Sequence, residues 1–327
     1  MRARSTSPRP GRWPCLLKGS GVSWAAIARA WRVPLAAVLL AGGAALAAAQ
    51  GTDPAELTGT LARVRATGTI VLGHRESSIP FSYLSARGAP IGYSIDLCKL
   101  VVEAIAEELG REVAIKWVPV TSESRIPAVT SGRIDIECGS TTNNLERQKL
   151  VSFSPTVFVS GTKLLVRNGS AVRSFRDLAG RKVAVTAGTT NEKTMRDLAA
   201  KFRIDMTLQV APDHAASFAL LASGAVDAFA TDDVLLYGLL AQNRAQGEYT
   251  VIGDFLSYDP YGLMFRKGDM PLAALIDTTF RALAEDGEIE RRYKRWFLQK
   301  LPTGESLNLP MSAQLEGIVQ MLASPAR

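Results

Sequence analysis

Short apolar runs alternate with amphipathic stretches along this 327-residue chain, and the whole alternation happens twice. A brief apolar run bounded by turn residues suits a buried strand, whereas apolar positions three and four apart suit a helix face. In the first block a helix pattern over 57–65 precedes a strand pattern over 69–73. Ser94 is placed to cap a helix running to Leu109 and stopping at Gly110, with Ile95, Cys98, Val101, Val102 and Ile105 on one face. A strand over 113–118, a short helix over 126–130 and a strand at Ile134 follow. The second block starts near Val166, with a short helix over 174–178 and a strand over 182–185. Gly188-Thr189-Thr190 opens a helix to Lys201, a strand lies at 208–210, a helix at 215–222 and a strand at 226–230. Strands separated by helices predict an α/β architecture with largely parallel sheets.

The two blocks share a short echo: Ser131-Gly132-Arg133-Ile134-Asp135 in the first and Ser223-Gly224-Ala225-Val226-Asp227 in the second. In each, a helix ends on glycine and a strand leads to a polar loop. Strand patterns at 249–252 and 261–265 and helix patterns at 271–285 and 288–297 complete the chain. Crossings between two lobes are expected near 157–166 and 251–263. The expected division is an export signal over 1–49, a first lobe built from 50–160 and 253–327 with the C-terminal helices, and a second lobe over 161–252. Carboxyl ends of strands facing a crevice between lobes are where such sheets bind ligands.

Charge supports this reading only after its location is considered. Seven of the 38 basic groups lie in residues 1–49, which hold no acid, leaving 31 basic against 31 acidic residues. The neutral body gives no support to nucleic-acid binding. The basic leader runs into Val33-Pro34-Leu35-Ala36-Ala37-Val38-Leu39-Leu40 and an alanine-rich stretch, with small residues at Ala47 and Ala49 suiting cleavage near Ala49/Gln50. An uncleaved anchor is the alternative, although the apolar run is short for a membrane span. No cysteine stands at that site to carry a lipid. Cys98 and Cys138 remain after the leader, either bridged or as two buried thiols. With two histidines in the chain and no ligand spacing, a metal site is not expected, nor is any cofactor.

The most informative stretch is Glu137-Cys138-Gly139-Ser140-Thr141-Thr142-Asn143-Asn144-Leu145-Glu146-Arg147. A strand ending in hydroxyl and amide residues before a short helix presents free backbone N–H groups, which suit a carboxylate. Arg147 adds a planar fork that grips a carboxylate with two hydrogen bonds.

Three segments carry a family resemblance. The loop Gly73-His74-Arg75-Glu76-Ser77-Ser78-Ile79-Pro80-Phe81-Ser82-Tyr83, the segment Thr121-Ser122-Glu123-Ser124-Arg125-Ile126-Pro127 and the stretch from Ser140 to Arg147 resemble the periplasmic amino-acid-binding proteins of ABC importers, solute-binding protein family 3. They are most similar to the members that take glutamate and aspartate. The likeness continues at Gly188-Thr189-Thr190, Asp213-His214 and Thr231-Asp232-Asp233 and covers about residues 55–315; the segment over 254–259 departs from it. The resemblance implies a two-lobed periplasmic-binding-protein fold of type II, with a ligand cleft between lobes joined by two hinge crossings. It implies a monomer in the periplasm that delivers one acidic amino acid to a membrane ABC permease. Family binding residues carry over as Arg75, Ser122, Arg125, Ser140, Thr142, Arg147, Thr190, His214 and Asp232. By that analogy Arg147 takes the ligand α-carboxylate, assisted by Ser140 and Thr142, and Asp232 takes the α-ammonium. Arg75 and Arg125 face the side-chain carboxylate with help from Ser122, Thr190 or His214.

Elementary electrostatics agrees with that assignment. A zwitterion needs one cation and one anion, and a second ligand carboxylate needs further cations, because an unpaired buried carboxylate costs several kcal/mol. Three arginines against one aspartate therefore point to an acidic guest. Enzymatic readings have less in their favour: no cysteine–histidine pair or supported catalytic triad is evident, and Gly188-Thr189-Thr190 lacks the lysine-serine of a phosphate loop. The same fold hosts a cyclohexadienyl dehydratase, which would require Glu76 or Glu137 to act as a general acid. A binding protein for another polar amino acid is the remaining alternative.

Overall fold

A computed structural model describes residues 57–324, and the expected export signal over 1–49 lies outside them. Two five-stranded sheets dominate. The first runs, edge to edge, through Ala114–Pro119, Thr69–His74, Ile136–Glu137, Met264–Arg266 and Val151–Phe153. The second runs through Thr207–Ala211, Lys182–Thr186, Ala228–Asp232, Thr162–Arg167 and Tyr249–Ile252. In each sheet one strand opposes the other four: Met264–Arg266 in the first and Thr162–Arg167 in the second. Both opposing strands follow directly on a short strand of the pair Phe158–Ser160 and Asp259–Tyr261, which ladder antiparallel to each other between the sheets. The chain thus enters each sheet from a crossing, and its direction of entry sets the odd strand.

The sequence echo is a structural repeat. Gly132 and Gly224 both sit at positive φ, 76° and 78°, where a left-handed turn ends the preceding helix. Three residues on, Asp135 Oδ2 accepts from Val71 N at 2.7 Å and Asp227 Oδ2 accepts from Lys182 N at 2.8 Å. Each aspartate therefore pins the third strand of its block to the start of the first, and the polar loops beyond emerge at matching places.

Two expectations need correcting. Ser94 does not cap its helix: the helix spans Tyr93–Leu109 from Gly92, and the Ser94 hydroxyl donates instead to Gly139 O at 2.8 Å. Residues 261–265 are not one strand, because the chain leaves the crossing ladder at Tyr261 and joins the first sheet at Met264. Between them Leu263 N is satisfied by Ser154 Oγ, so no single partner strand serves both ends. Aromatic rings fill the base of the crossing, with Phe81, Phe158, Tyr261 and Phe297 in edge and stacked contact at centroid distances of 4.9–5.6 Å for Phe81–Tyr261, Phe81–Phe297, Phe81–Phe158 and Phe158–Phe297.

Cys98 and Cys138, left open by the sequence, form a disulfide that closes a 40-residue separation. It ties the buried face of the helix Tyr93–Leu109 to the end of the strand Ile136–Glu137, immediately before the loop that carries Ser140 and Thr142. Constraining an unfolded loop of this size stabilises by about 2–5 kcal/mol. The double substitution Cys98→Ala/Cys138→Ala should therefore lower the free energy of unfolding by about that amount, measured by urea denaturation; an unchanged midpoint would argue against the bridge.

Candidate functional site

The carboxyl ends of both sheets face one another, and the loops that leave them carry the polar side chains. Arg75 follows the strand Thr69–His74, and its backbone N–H donates to Ser82 Oγ at 2.8 Å. Arg125 opens the helix Arg125–Thr130, while Arg147 lies in the short helix Leu145–Gln148, whose cap Asn144 accepts from Arg147 N at 2.9 Å. From the second sheet come Thr190 at the start of the helix Thr190–Phe202, His214 at the start of His214–Ala222, and Asp232 at the end of its strand. Asp213, not His214, caps the helix His214–Ala222, which frees the imidazole to point inward.

These residues converge. Ser122, Arg125, Ser140, Thr142, Thr190, His214 and Asp232 line one cavity of about 10 Å³, joined by Thr189, Asn191 and Leu235. Arg75 and Arg147 stand just outside this lining. Arg147 Nη1 donates to Thr142 O at 2.9 Å and Nη2 to Gly188 O at 3.4 Å, so it bridges the two lobes. Thr142 Oγ1 and Thr190 Oγ1 also meet across the cleft at 3.2 Å. Gly188, at φ 70°, allows a close approach of the two sides, since a Cβ there would stand 2.7 Å from Glu123 Cα. A cavity of that volume holds about one water molecule. The larger groove of about 840 Å³ among the helices Gly59–Thr67, Tyr93–Leu109 and Met270–Glu285 is lined by apolar side chains with Glu103, Glu107 and Glu108 and carries no arginine or lysine in its lining among the described residues.

Electrostatics sets this cleft apart. Arg75 is 1% exposed, Arg125 2% and Arg147 8%, yet none forms an ion pair with a carboxylate among the described residues. Burial, reinforced by the neighbouring Arg125 charge, pushes Arg75 and Arg147 down to about 9. Burial lowers Arg125 too. A guanidinium resists deprotonation even when buried, so the three groups are cationic at neutral pH. Burial and the charges of Arg75 and Arg125 hold His214 well below its ordinary range, so its ring is neutral, with Nδ1 3.0 Å from Thr186 Oγ1. Asp232 accepts hydrogen bonds from Asn191 Nδ2 at 2.8 Å and from the Tyr261 hydroxyl, and burial followed by the nearby Asp259 charge pushes it up to about 8. Asp232 occupies the N-cap position of the helix Asp233–Asn243 without bonding that helix, which leaves its carboxyl turned to the cleft.

Buried polar atoms without a hydrogen-bond partner gather here as well: Arg75 Nη1, Ser122 Oγ, Arg125 Nε, Glu137 Oε1 and Ser140 Oγ. Such atoms cost about 1–3 kcal/mol each when left unsatisfied, so their concentration marks where a polar guest repays the desolvation. All nine expected residues are in or against this cluster. Asn191, Tyr261 and Thr141 were not anticipated. Asn191 directly follows Thr190 and could have been included on spacing; Tyr261 sits in an apolar strand pattern and carries no local polar signal.

The sequence profile of the bacterial extracellular solute-binding proteins, family 3, matches residues 70–299. A Pseudomonas aeruginosa protein named L-glutamate/L-aspartate-binding protein is 45% identical over 273 residues, covering 83% of this chain and 89% of that protein. The Escherichia coli glutamate/aspartate import solute-binding protein is 39% identical over 290 residues, covering 88% and 96%. Among solved structures, an ancestral arginine-binding protein bound to glutamine superposes with a TM-score of 0.64 at 31% identity, covering 71% of this chain and 99% of that one. An ancestral amino acid-binding protein described as a precursor of cyclohexadienyl dehydratase gives 0.63 at 31% identity, covering 73% and 99%.

The neutral His214 has a consequence for stability. Its folded pKa lies below the unfolded value of 6.5, so below that pH the unfolded chain takes up a proton that the folded site refuses. Stability should fall as pH drops from 7.5 to 5.5, and His214→Gln should reduce that fall. Urea denaturation at both pH values tests it; equal losses in the two proteins would mean that the imidazole protonates in place.

Proposed function

The chain belongs to the bacterial extracellular solute-binding proteins, family 3, and from that premise we propose that it captures L-glutamate and L-aspartate for an ABC permease. One observation carries the reading: three buried guanidiniums, none in an ion pair among the described residues, stand beside an inward-facing aspartate. An acidic amino acid supplies two carboxylates and one ammonium, which that set complements. Arg147, with Ser140 and Thr142, takes the α-carboxylate, and Asp232 takes the α-ammonium. Arg75 and Arg125 take the side-chain carboxylate, with Ser122, Thr190 and His214 supplying further hydrogen bonds. An amide ligand would leave the arginine pair undercompensated, which is the source of discrimination.

Binding proceeds by closure. The lobe of residues 50–160 and 253–327 and the lobe of residues 161–252 rotate about the paired crossing strands, and the guest stabilises the closed state because only there does it touch both lobes. A buried disulfide is a bond suited to oxidising compartments, and with the basic leader it supports residence in the periplasm after cleavage near Ala49/Gln50. We read the protein as a binder and not an enzyme. Its similar proteins carry binding-protein names, and Glu76, one of the two candidate general acids, is exposed to solvent.

Calorimetry with glutamate, aspartate, glutamine and asparagine tests the ligand class: the acids should bind at least about tenfold tighter than their amides, a loss of roughly 1.4 kcal/mol or more. Arg147→Ala should abolish binding of every amino acid, whereas Arg125→Ala should mainly erase the preference for acids. Tighter binding of the amides, or equal losses for both classes in both variants, would sink the assignment. Asp232 gives a separate check. With its pKa near 8 it is mostly protonated at pH 7, and an arriving ammonium favours the carboxylate, so binding should release protons. The measured heat should then depend on the ionisation enthalpy of the buffer, and Asp232→Asn should remove that dependence; a buffer-independent heat in the wild type would break the ammonium–Asp232 pairing.

A further inference from the structure

Glu137 is fully buried, and the roles above leave it unused. Its Oε2 accepts from Thr141 Oγ1 at 2.6 Å, and that hydroxyl oxygen in turn accepts from Arg125 Nη1 at 2.7 Å. Its Oε1 has no partner. Gly139 makes room for the arrangement: a Cβ there would lie 2.1 Å from Glu137 Oε1 and 2.9 Å from Arg75 Cγ. The carboxylate is thus wedged between the loop bearing Ser140 and the side chain of Arg75, one hydroxyl away from Arg125. It is also the one acid whose charge favours the cationic form of Arg75, Arg125 and Arg147 alike.

We propose that Glu137 is a specificity-determining counter-charge, a positioning residue that acts through the arginines and sets the guest charge at which the closed cleft becomes neutral. The inference rests on the acidic-amino-acid reading. With a dicarboxylic guest, three guanidiniums and one ammonium face Glu137, Asp232 and two ligand carboxylates, four charges against four. With an amide guest the count is four against three, and the cleft closes on a net positive charge. The cost of buried net charge climbs steeply with its size. Without Glu137 the free cleft would carry one more positive charge, and an acidic guest would relieve more of it than an amide could. Glu137 therefore tempers the pull on acids while holding Arg125 in place through Thr141, and it keeps three like charges from destabilising the unliganded fold.

The isosteric Glu137→Gln retains an oxygen to accept from Thr141 and removes only the charge. In this variant glutamate should bind tighter by on the order of tenfold, glutamine should gain less, and the ratio of the two affinities should widen. The ligand-free variant should melt below the wild type and regain more on adding glutamate than the wild type does. Should it be too unstable for calorimetry, the same comparison is read from the rise in melting temperature given by each ligand. Glu137→Asp, which keeps the charge, should restore the wild-type ratio. A purely structural role would weaken both ligands equally, and that result, or a narrowed ratio, overturns the proposal. If the wild type itself prefers amides, the parent reading fails separately; the ligand-free melting temperatures still decide the part played by Glu137, and an unchanged value in Glu137→Gln would overturn it.

Discussion

Three guanidinium groups held out of water, with no carboxylate in ion-pair contact, are the interaction around which this molecule is organised. Desolvating a cation is costly, and the cost grows when a second and third cation are brought near. A chain retains such an arrangement only where surrounding structure over-determines it. Here the surroundings are specific. Arg125 is fixed by Thr141 and Ser140 O, Arg147 by Thr142 O and Gly188 O, and the Arg75 backbone by Ser82. Glycines at 139 and 188 let carboxylate and backbone approach where any side chain would collide. The disulfide anchors the loop that carries two of the hydroxyls.

The cleft is built from two copies of one structural idea put to different chemical use. Each half places parallel strands over helices, pins its third strand with an aspartate and sends polar loops toward the other half. The first half supplies all three arginines. The second supplies Asp232, His214 and Thr190, a set with one acid and no permanent cation. In the proposed reading, a zwitterion with an extra carboxylate is matched only when both halves contribute. The hydroxyl contact between Thr142 and Thr190 and the reach of Arg147 to Gly188 O join the two halves across the cleft.

Local chemistry was readable from the residues alone. Hydrophobic period and terminal glycines identified the α/β alternation, the long helix ending at Gly110 and the echo at 131–135 and 223–227, because each depends on neighbours a few positions apart. The candidate site was also legible, since its arginines and hydroxyls cluster on loops just after strand patterns. The tertiary structure alone decided the rest. It joined Cys98 to Cys138, turned Ser94 from a helix cap into a partner of Gly139, and split residues 261–265 between two ladders. It set Tyr261 and Asn191 on Asp232 and left Glu137 between Arg75 and Thr141. All of these pairings join groups brought together by packing, most of them across dozens of residues, and no periodicity in one stretch of chain encodes what a distant stretch will present to it.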